Sequence, residues 1–219
     1  MLAITDLAKS FVAPDGRRTE ILRIPQFGLA AGAQVALRGA SGSGKTTFLH
    51  LIAGILTPDT GRIVVDGVEV TALRESQRDR LRADKIGYIF QTFNLLQGFT
   101  ALENVRLGHA FGPHADRDHA RHLLERVGLG SKLHHFPRQL STGQQQRVAV
   151  ARALASRPKL VLADEPTGNL DRQHAMEALT LIRSVCAENK AALLLVSHDE
   201  SVLERFEDRR EFSEINRLP

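Results

Sequence analysis

The residues Gln34 to Thr47, QVALRGASGSGKTT, constrain this chain more than any other stretch. Gln34 to Arg38 is a short strand-like run, and the pattern from Lys45 to Ile52 is helical. Between them lies G-x-x-x-x-G-K-[ST] in the context its chemistry needs: strand, glycine loop, helix. Gly39, Gly42 and Gly44 let the backbone curl so that successive N–H groups face a common centre. The helix N-terminus adds the positive end of its dipole. Lys45 is then placed to reach the β- and γ-phosphates of a nucleotide, and Thr46 to set its hydroxyl on Mg²⁺. A Gly/Ser-rich turn with a chance lysine would leave some of these positions unfilled, and none is.

Two further segments supply acids and a base. In KLVLADEP, residues 159–166, an apolar run fits a buried parallel strand. Asp164 and Glu165 fall at its carboxyl end, where open α/β sheets bind ligands. Alternation along a strand makes the two side chains diverge. Asp164 then suits a Mg²⁺ shell, and Glu165 suits the water attacking a γ-phosphate, as general base or orienting group. Alone, such a pair is as readily a helix N-cap; after a P-loop the catalytic reading takes precedence. In LLLVSHDES, His198 follows a second apolar run. A single histidine there caps or packs; beside two nucleotide motifs it becomes a candidate γ-phosphate sensor.

A fourth segment is ambiguous from its residues. In LSTGQQQRVAVARAL, residues 140–154, Ser141 and Gln144 have capping-box spacing. The free N–H groups of a helix start also make an anion site. Both readings stand.

Taken together, GASGSGKTT, IFQTFNLL around Gln91, LSTGQQQR, LVLADEP, GNLD at 168–171 and VSHD occur in the order seen in ATP-binding cassette (ABC) transporter nucleotide-binding subunits, which the chain resembles over about residues 2–215. The resemblance implies an α/β P-loop NTPase with a mostly parallel, RecA-like core. It adds an N-terminal antiparallel β subdomain and an inserted α-helical subdomain. A single cassette would fill 1–219, with the core and β subdomain at about 1–96 and 158–219 and the helical subdomain at about 97–157.

The resemblance also assigns roles. Phe11 stands where the family stacks an aromatic on adenine. Gly39, Ala40, Ser41, Gly42, Ser43, Gly44, Lys45, Thr46 and Thr47 hold the phosphates. Thr46, Gln91 and Asp164 attend Mg²⁺, with Lys45, Glu165 and His198 catalytic. Ser141, Gly143 and Gln144 contact an ATP bound to a second copy of the domain, and Asp171 lies at that interface. Hydrolysis of ATP would drive a separate integral membrane permease, the chain sitting peripherally on the cytoplasmic face of the inner membrane. IGYIFQTFNLLQGFTALENV and DEPTGNLD resemble the lipoprotein-release and macrolide-efflux branch (LolD/MacB-like, DevA-like exporters included). Two positions depart from the family: Thr142, where Gly is usual, and Gln97, where Pro is usual.

Composition fits this outline. With 42% hydrophobic and 25% charged residues, the 219-residue chain reads as a soluble domain. Its net charge of +4 is dispersed through RESQRDRLR, RDHARHLLER and FEDRREF among acids, which favours solvated helix faces over a nucleic-acid surface. Cys186 stands alone in an apolar pattern and is expected to pack; His134 and His135 are expected to serve a turn. The start, MLAITDLAKSF, lacks a signal-peptide pattern, and no run approaches the roughly 18 apolar residues of a membrane span. Strand pattern is expected over 2–38 and 61–72. A groove beside ALENVRL is expected to receive the permease. An importer ATPase, a soluble ABC ATPase and a non-catalytic scaffold are the alternatives. Repair enzymes of the family carry long insertions and translation factors carry two cassettes, neither of which is present. The intact Lys45, Asp164, Glu165 and His198 argue against a scaffold.

Overall fold

The computed structural model describes residues 1–110 and 117–218. Its strands are β1 (Leu2–Val12), β2 (Arg18–Leu29), β3 (Gln34–Arg38), β4 (Thr60–Val65), β5 (Val68–Glu69), β6 (Ile86–Ile89), β7 (Leu160–Asp164), β8 (Ala192–Ser197) and β9 (Asp208–Glu211). Its helices are α1 (Lys45–Ile52), α2 (Glu75–Lys85), α3 (Ala101–Leu107), α4 (Arg117–Arg126), α5 (Thr142–Leu154), α6 (Arg172–Glu188), α7 (Glu200–Leu203) and α8 (Phe212–Ile215). Among the described residues no helix is long and apolar enough to cross a membrane.

The strands form two sheets. One has the order β6-β7-β8-β3-β9, with every neighbouring pair parallel. The other, β2-β1-β4-β5, is antiparallel. Their sequences differ for a physical reason. In β7, Leu160 and Leu162 enter one apolar cluster while Val161 and Ala163 enter another. Leu194 and Val196 of β8 likewise oppose Leu193 and Leu195. A parallel sheet covered on both faces needs apolar residues at every position, which produces the uninterrupted runs. In β1, by contrast, Leu2 and Ile4 are buried while Ala3 and Thr5 face outward. The inward set then jumps to Leu7, because Asp6 adopts a left-handed φ of 49° where pairing with β4 slips between Thr5 and Ala8.

The α/β architecture read from the sequence is present. Cys186 is fully buried on α6, and burial pushes its thiol up to about 12. One boundary needs correcting. The strand pattern expected through residue 72 ends at Glu69, and Val70–Ala72 is a turn of 3₁₀ helix. Val70 is buried there as the chain turns toward α2, so its β-branched, apolar character reflects packing and not pairing.

The register of the parallel sheet positions everything that follows. Arg38 pairs with Ser197, Asp164 with Val196, and Ile89 with Ala163. The loops leaving β3, β6, β7 and β8 therefore emerge together along one edge, where such sheets bind ligands.

Candidate nucleotide site

The loop between β3 and α1 is the floor of the site. Gly42 and Gly44 take φ of 78° and 99°, a region costly for residues with a Cβ. Gly44 is also wedged against Ile21 and Leu22 of β2, so a Cβ there would meet them at 3.0–3.2 Å. Lys45, only 6% exposed, folds its ammonium back over the loop. Its Nζ donates to the carbonyls of Gly39 and Ala40 at 2.6 and 2.9 Å and lies 3.8 Å from Glu165 Oε1.

The acids arrive from β7. Asp164 is the last residue of the strand, and Glu165 follows with a left-handed φ of 44°. Their divergence comes from that turn of the backbone and not from strand alternation. A non-glycine residue in this region is held there by its surroundings. Glu165 N–H donates to Val196 O at 3.0 Å. Its carboxylate accepts from Ser197 Oγ at 3.1 Å and from the His198 backbone N–H at 3.4 Å, and it meets His198 Nδ1 at 2.9 Å. Burial pushes the Asp164 carboxyl above its ordinary range, opposed by a bond from the Thr46 hydroxyl. Thr46, Asp164 and Gln91 offer the oxygen donors a hard divalent cation prefers.

These groups share a cavity of about 370 Å³. Phe11, Ser41, Gly42, Gly44, Lys45, Thr46, Thr47, Gln91, Asp164, Glu165 and His198 all line it. Gly39 and Ala40 border it through Lys45, and Ser43 caps none of its own backbone, its buried hydroxyl lacking a partner. Ile21 also lines the cavity, and sequence reasoning missed it; so too Ser197, inside VSHD, whose hydroxyl both donates to Glu165 and accepts from Asp199 N–H at 3.1 Å.

The LSTGQQQR residues lie elsewhere. Ser141 caps α5: its hydroxyl accepts from Gln144 N–H at 3.3 Å while Gln144 Oε1 accepts from Ser141 N–H at 3.1 Å. Gly143 packs on His174, whose ring would lie 3.3 Å from an added Cβ. His174 Nδ1 is 2.6 Å from the Asp171 carboxylate. Asp171 caps α6, and His174 is the chief reason its carboxyl sits below the ordinary range. Ser141, Gly143, Gln144 and Asp171 therefore form a second group, outside the cavity.

Helix α5 joins the two groups through residues the sequence did not flag. Gln146, fully buried, donates to Pro166 O at 2.6 Å, just beyond Glu165. Arg152 donates to Phe93 O and Asn94 O at 2.7 and 2.5 Å. Phe93 and Asn94 both hold left-handed φ, 47° and 49°, two residues beyond Gln91. Guanidinium bonds to two successive carbonyls keep that kink in place. Asn169 Nδ2 reaches Gln91 O at 2.7 Å.

A phosphate loop, paired acids and a histidine at the carboxyl edge of a parallel sheet define a P-loop nucleotide-binding domain. Residues 22–168 match the family described as ABC transporter, and the chain belongs to that family. It is the ATP-binding subunit of such a transporter. It is 43% identical to the lipoprotein-releasing system ATP-binding protein LolD of Bordetella pertussis, over 92% of this chain and 88% of that one. It is 39% identical to the ABC transporter ATP-binding protein YtrE of Bacillus subtilis, over 92% and 90%. Among solved structures, a dimeric post-hydrolysis state of the ATP-binding cassette MJ0796, bound to ADP and Pi, superposes with a TM-score of 0.88. Identity there is 33%, covering 96% of this chain and 94% of that one.

Proposed function

We propose that this chain hydrolyses ATP as one of two cassettes that close over two nucleotides and drive a membrane permease of the lipoprotein-release or efflux type. The observation that carries the reading is the buried trio of Lys45, Asp164 and Glu165, joined by the exposed His198, around one cavity. The loop N–H groups and the Lys45 ammonium bind the β- and γ-phosphates, exchanging the Gly39 and Ala40 carbonyls for phosphate oxygens. Mg²⁺, held by Thr46 and Asp164 with Gln91 nearby, would neutralise charge on those oxygens. Glu165, held by Ser197 and His198, takes the proton of the attacking water or orients it. His198 shares that carboxylate and faces the γ-phosphate. Phe11 stacks on the adenine.

The second group completes the site of a partner copy. Ser141, Gly143 and Gln144 stand at the N-terminus of α5, where free N–H groups favour an anion. Closing a water-filled phosphate site with such a surface raises the strength of every electrostatic contact inside it. The dimeric cassette MJ0796 supports this arrangement, and the names of the LolD relatives support the release branch. We assign 1–219 to a single cassette, with the helical lobe at about 97–157; of its residues, 111–116 lie outside those described. A groove of about 710 Å³ between α2 and the end of α3, lined by Ser76, Asp79, Arg82, Ala83, Leu107 and Gly108, suits a short helix of the permease. It would place the chain on the cytoplasmic face of the inner membrane.

Glu165→Gln tests the reading. It removes the base but keeps the shape, so turnover should fall about 10²–10⁴-fold while ATP binding persists. Size-exclusion chromatography should then show an ATP-dependent dimer. Normal turnover in this variant would sink the assignment.

A further inference from the structure

The β1–β2 hairpin carries Phe11 just past an irregular point. Pairing passes from Lys9 with Leu22 to Ser10 with Glu20, which leaves Ile21 as the extra residue of a bulge. Bulges re-aim neighbouring side chains. Phe11, just past this one, and Ile21, its extra residue, both line the nucleotide cavity.

Asp59, from the turn before β4, holds the bulge. Its carboxylate accepts from Ser10 N–H at 2.8 Å, from Arg18 Nη2 at 2.8 Å and from Lys9 Nζ at 3.3 Å. Asp59 is itself tied down by its own N–H to Ala8 O at 2.9 Å. Lys9, held this way, sets its ammonium 5.6 Å from the centroid of the Phe11 ring, within cation–π range. The Ser10 N–H bond, aided by Arg18 and Lys9, lowers the Asp59 carboxyl to about 2, so its charge is present at any working pH. Ion pairs this exposed add little stability. Three donors from both strands converging on one carboxylate do fix geometry.

We propose that Asp59 is a positioning residue for base recognition: it fixes the bulge and the Lys9 ammonium so that one face of Phe11 is braced and the other receives the nucleotide base. This rests on the reading of Phe11 as the adenine-stacking residue. A nucleotide with a planar base needs the brace; a ligand of phosphates alone does not.

The test compares ATP with Mg²⁺-tripolyphosphate, which has no base, as a competitive inhibitor of ATP hydrolysis. Asp59→Ala should raise KM for ATP about five- to tenfold, as loss of one stacking contact would. The tripolyphosphate inhibition constant should stay where it is. Asp59→Asn keeps an acceptor for Ser10 N–H and loses the ion pairs, so its KM should rise about two- to threefold. It also serves if the alanine variant folds poorly. Phe11→Ala alone should match the doubly altered chain, because the two side chains act through one contact. Parental KM in Asp59→Asn, additive effects of the two alterations, or a tripolyphosphate constant that rises in step with KM would each overturn the proposal. A parental KM in Phe11→Ala would instead remove the stacking reading on which it stands.

Discussion

Lys45, Asp164 and Glu165 keep 6%, 7% and 9% of their surface exposed, whereas Ser141 and Thr142, at the start of α5, stand in the open. The first group is held by the core: strand ends place it, and bonds from Thr46, Ser197 and His198 lock it. The second, at the surface, is held by its own capping box and by Gly143 resting on His174. A buried set of charges can act on a ligand already inside the fold. An exposed helix start with satisfied capping has N–H groups to offer only outward. The difference fits a division of labour, in which one chain binds the phosphates and lends its α5 start to a neighbour's.

The contrast breaks most severely at Lys45. Lys45→Ala removes about two charge-assisted bonds to phosphate, so ATP affinity should fall roughly hundredfold or more. Calorimetry on the isolated chain measures it, and unchanged affinity would count against the cavity as the phosphate site. Ser141→Arg attacks the other group. Hydrolysis should fall about hundredfold, as when a preorganised charge contact is lost, while ATP binding by the monomer stays near parental. Equal loss of monomer binding would show that the two groups serve one nucleotide in one chain.

Asp164 sharpens the comparison through stability. Burial raises its carboxyl above the ordinary value of 3.8 in the folded chain, so the folded state holds its proton more tightly than the unfolded one. The resulting stability is fully present below that value and is lost as pH rises toward the raised one. At neutral pH the buried charge is therefore a standing cost. Asp164→Asn keeps an acceptor for the Thr46 hydroxyl and drops the charge. It should melt a few degrees higher than the parent at pH 7 and lose that advantage as pH falls toward 4, while hydrolysis is lost. An unchanged or lower melting temperature at pH 7 would mean that the charge is compensated by Lys45 and His50.

What the sequence made legible follows the same divide between local and distant. The strand–loop–helix at Gln34–Ile52, the apolar runs of β7 and β8 and the capping box at Ser141 each depend on neighbours in the chain, and each was readable. The supporting contacts were not. Glu165 meets Ser197 across 32 positions, Arg152 meets Asn94 across 58, and Asp59 meets Ser10 across 49. Nothing in the local pattern of a polar residue says which distant carbonyl or carboxylate it will find. Ser197 had a faint signal, lying beside His198 in the quoted motif. The 3₁₀ turn at Val70–Ala72 was misread because a β-branched run packs equally well in a turn.

Thr142 is where the smallest effect is expected and the finest distinction can be drawn. It is the first helical residue of α5, with its side chain exposed and Ser141 already extended at φ −64°, ψ 162°. Its backbone N–H is thus presented as a glycine's would be, and the β-branch changes only stiffness and the space in front of the helix. Thr142→Gly would relax the turn, weakening the helix start by about 0.5–1 kcal/mol. It would also clear room for an opposing nucleotide. These effects oppose each other in turnover, so a change of about twofold in kcat is expected. The helix cost should still appear as a lower melting temperature without nucleotide. If kcat rises while that melting temperature falls, the methyl group crowds the closed dimer; if both fall, Thr142 serves the helix start alone.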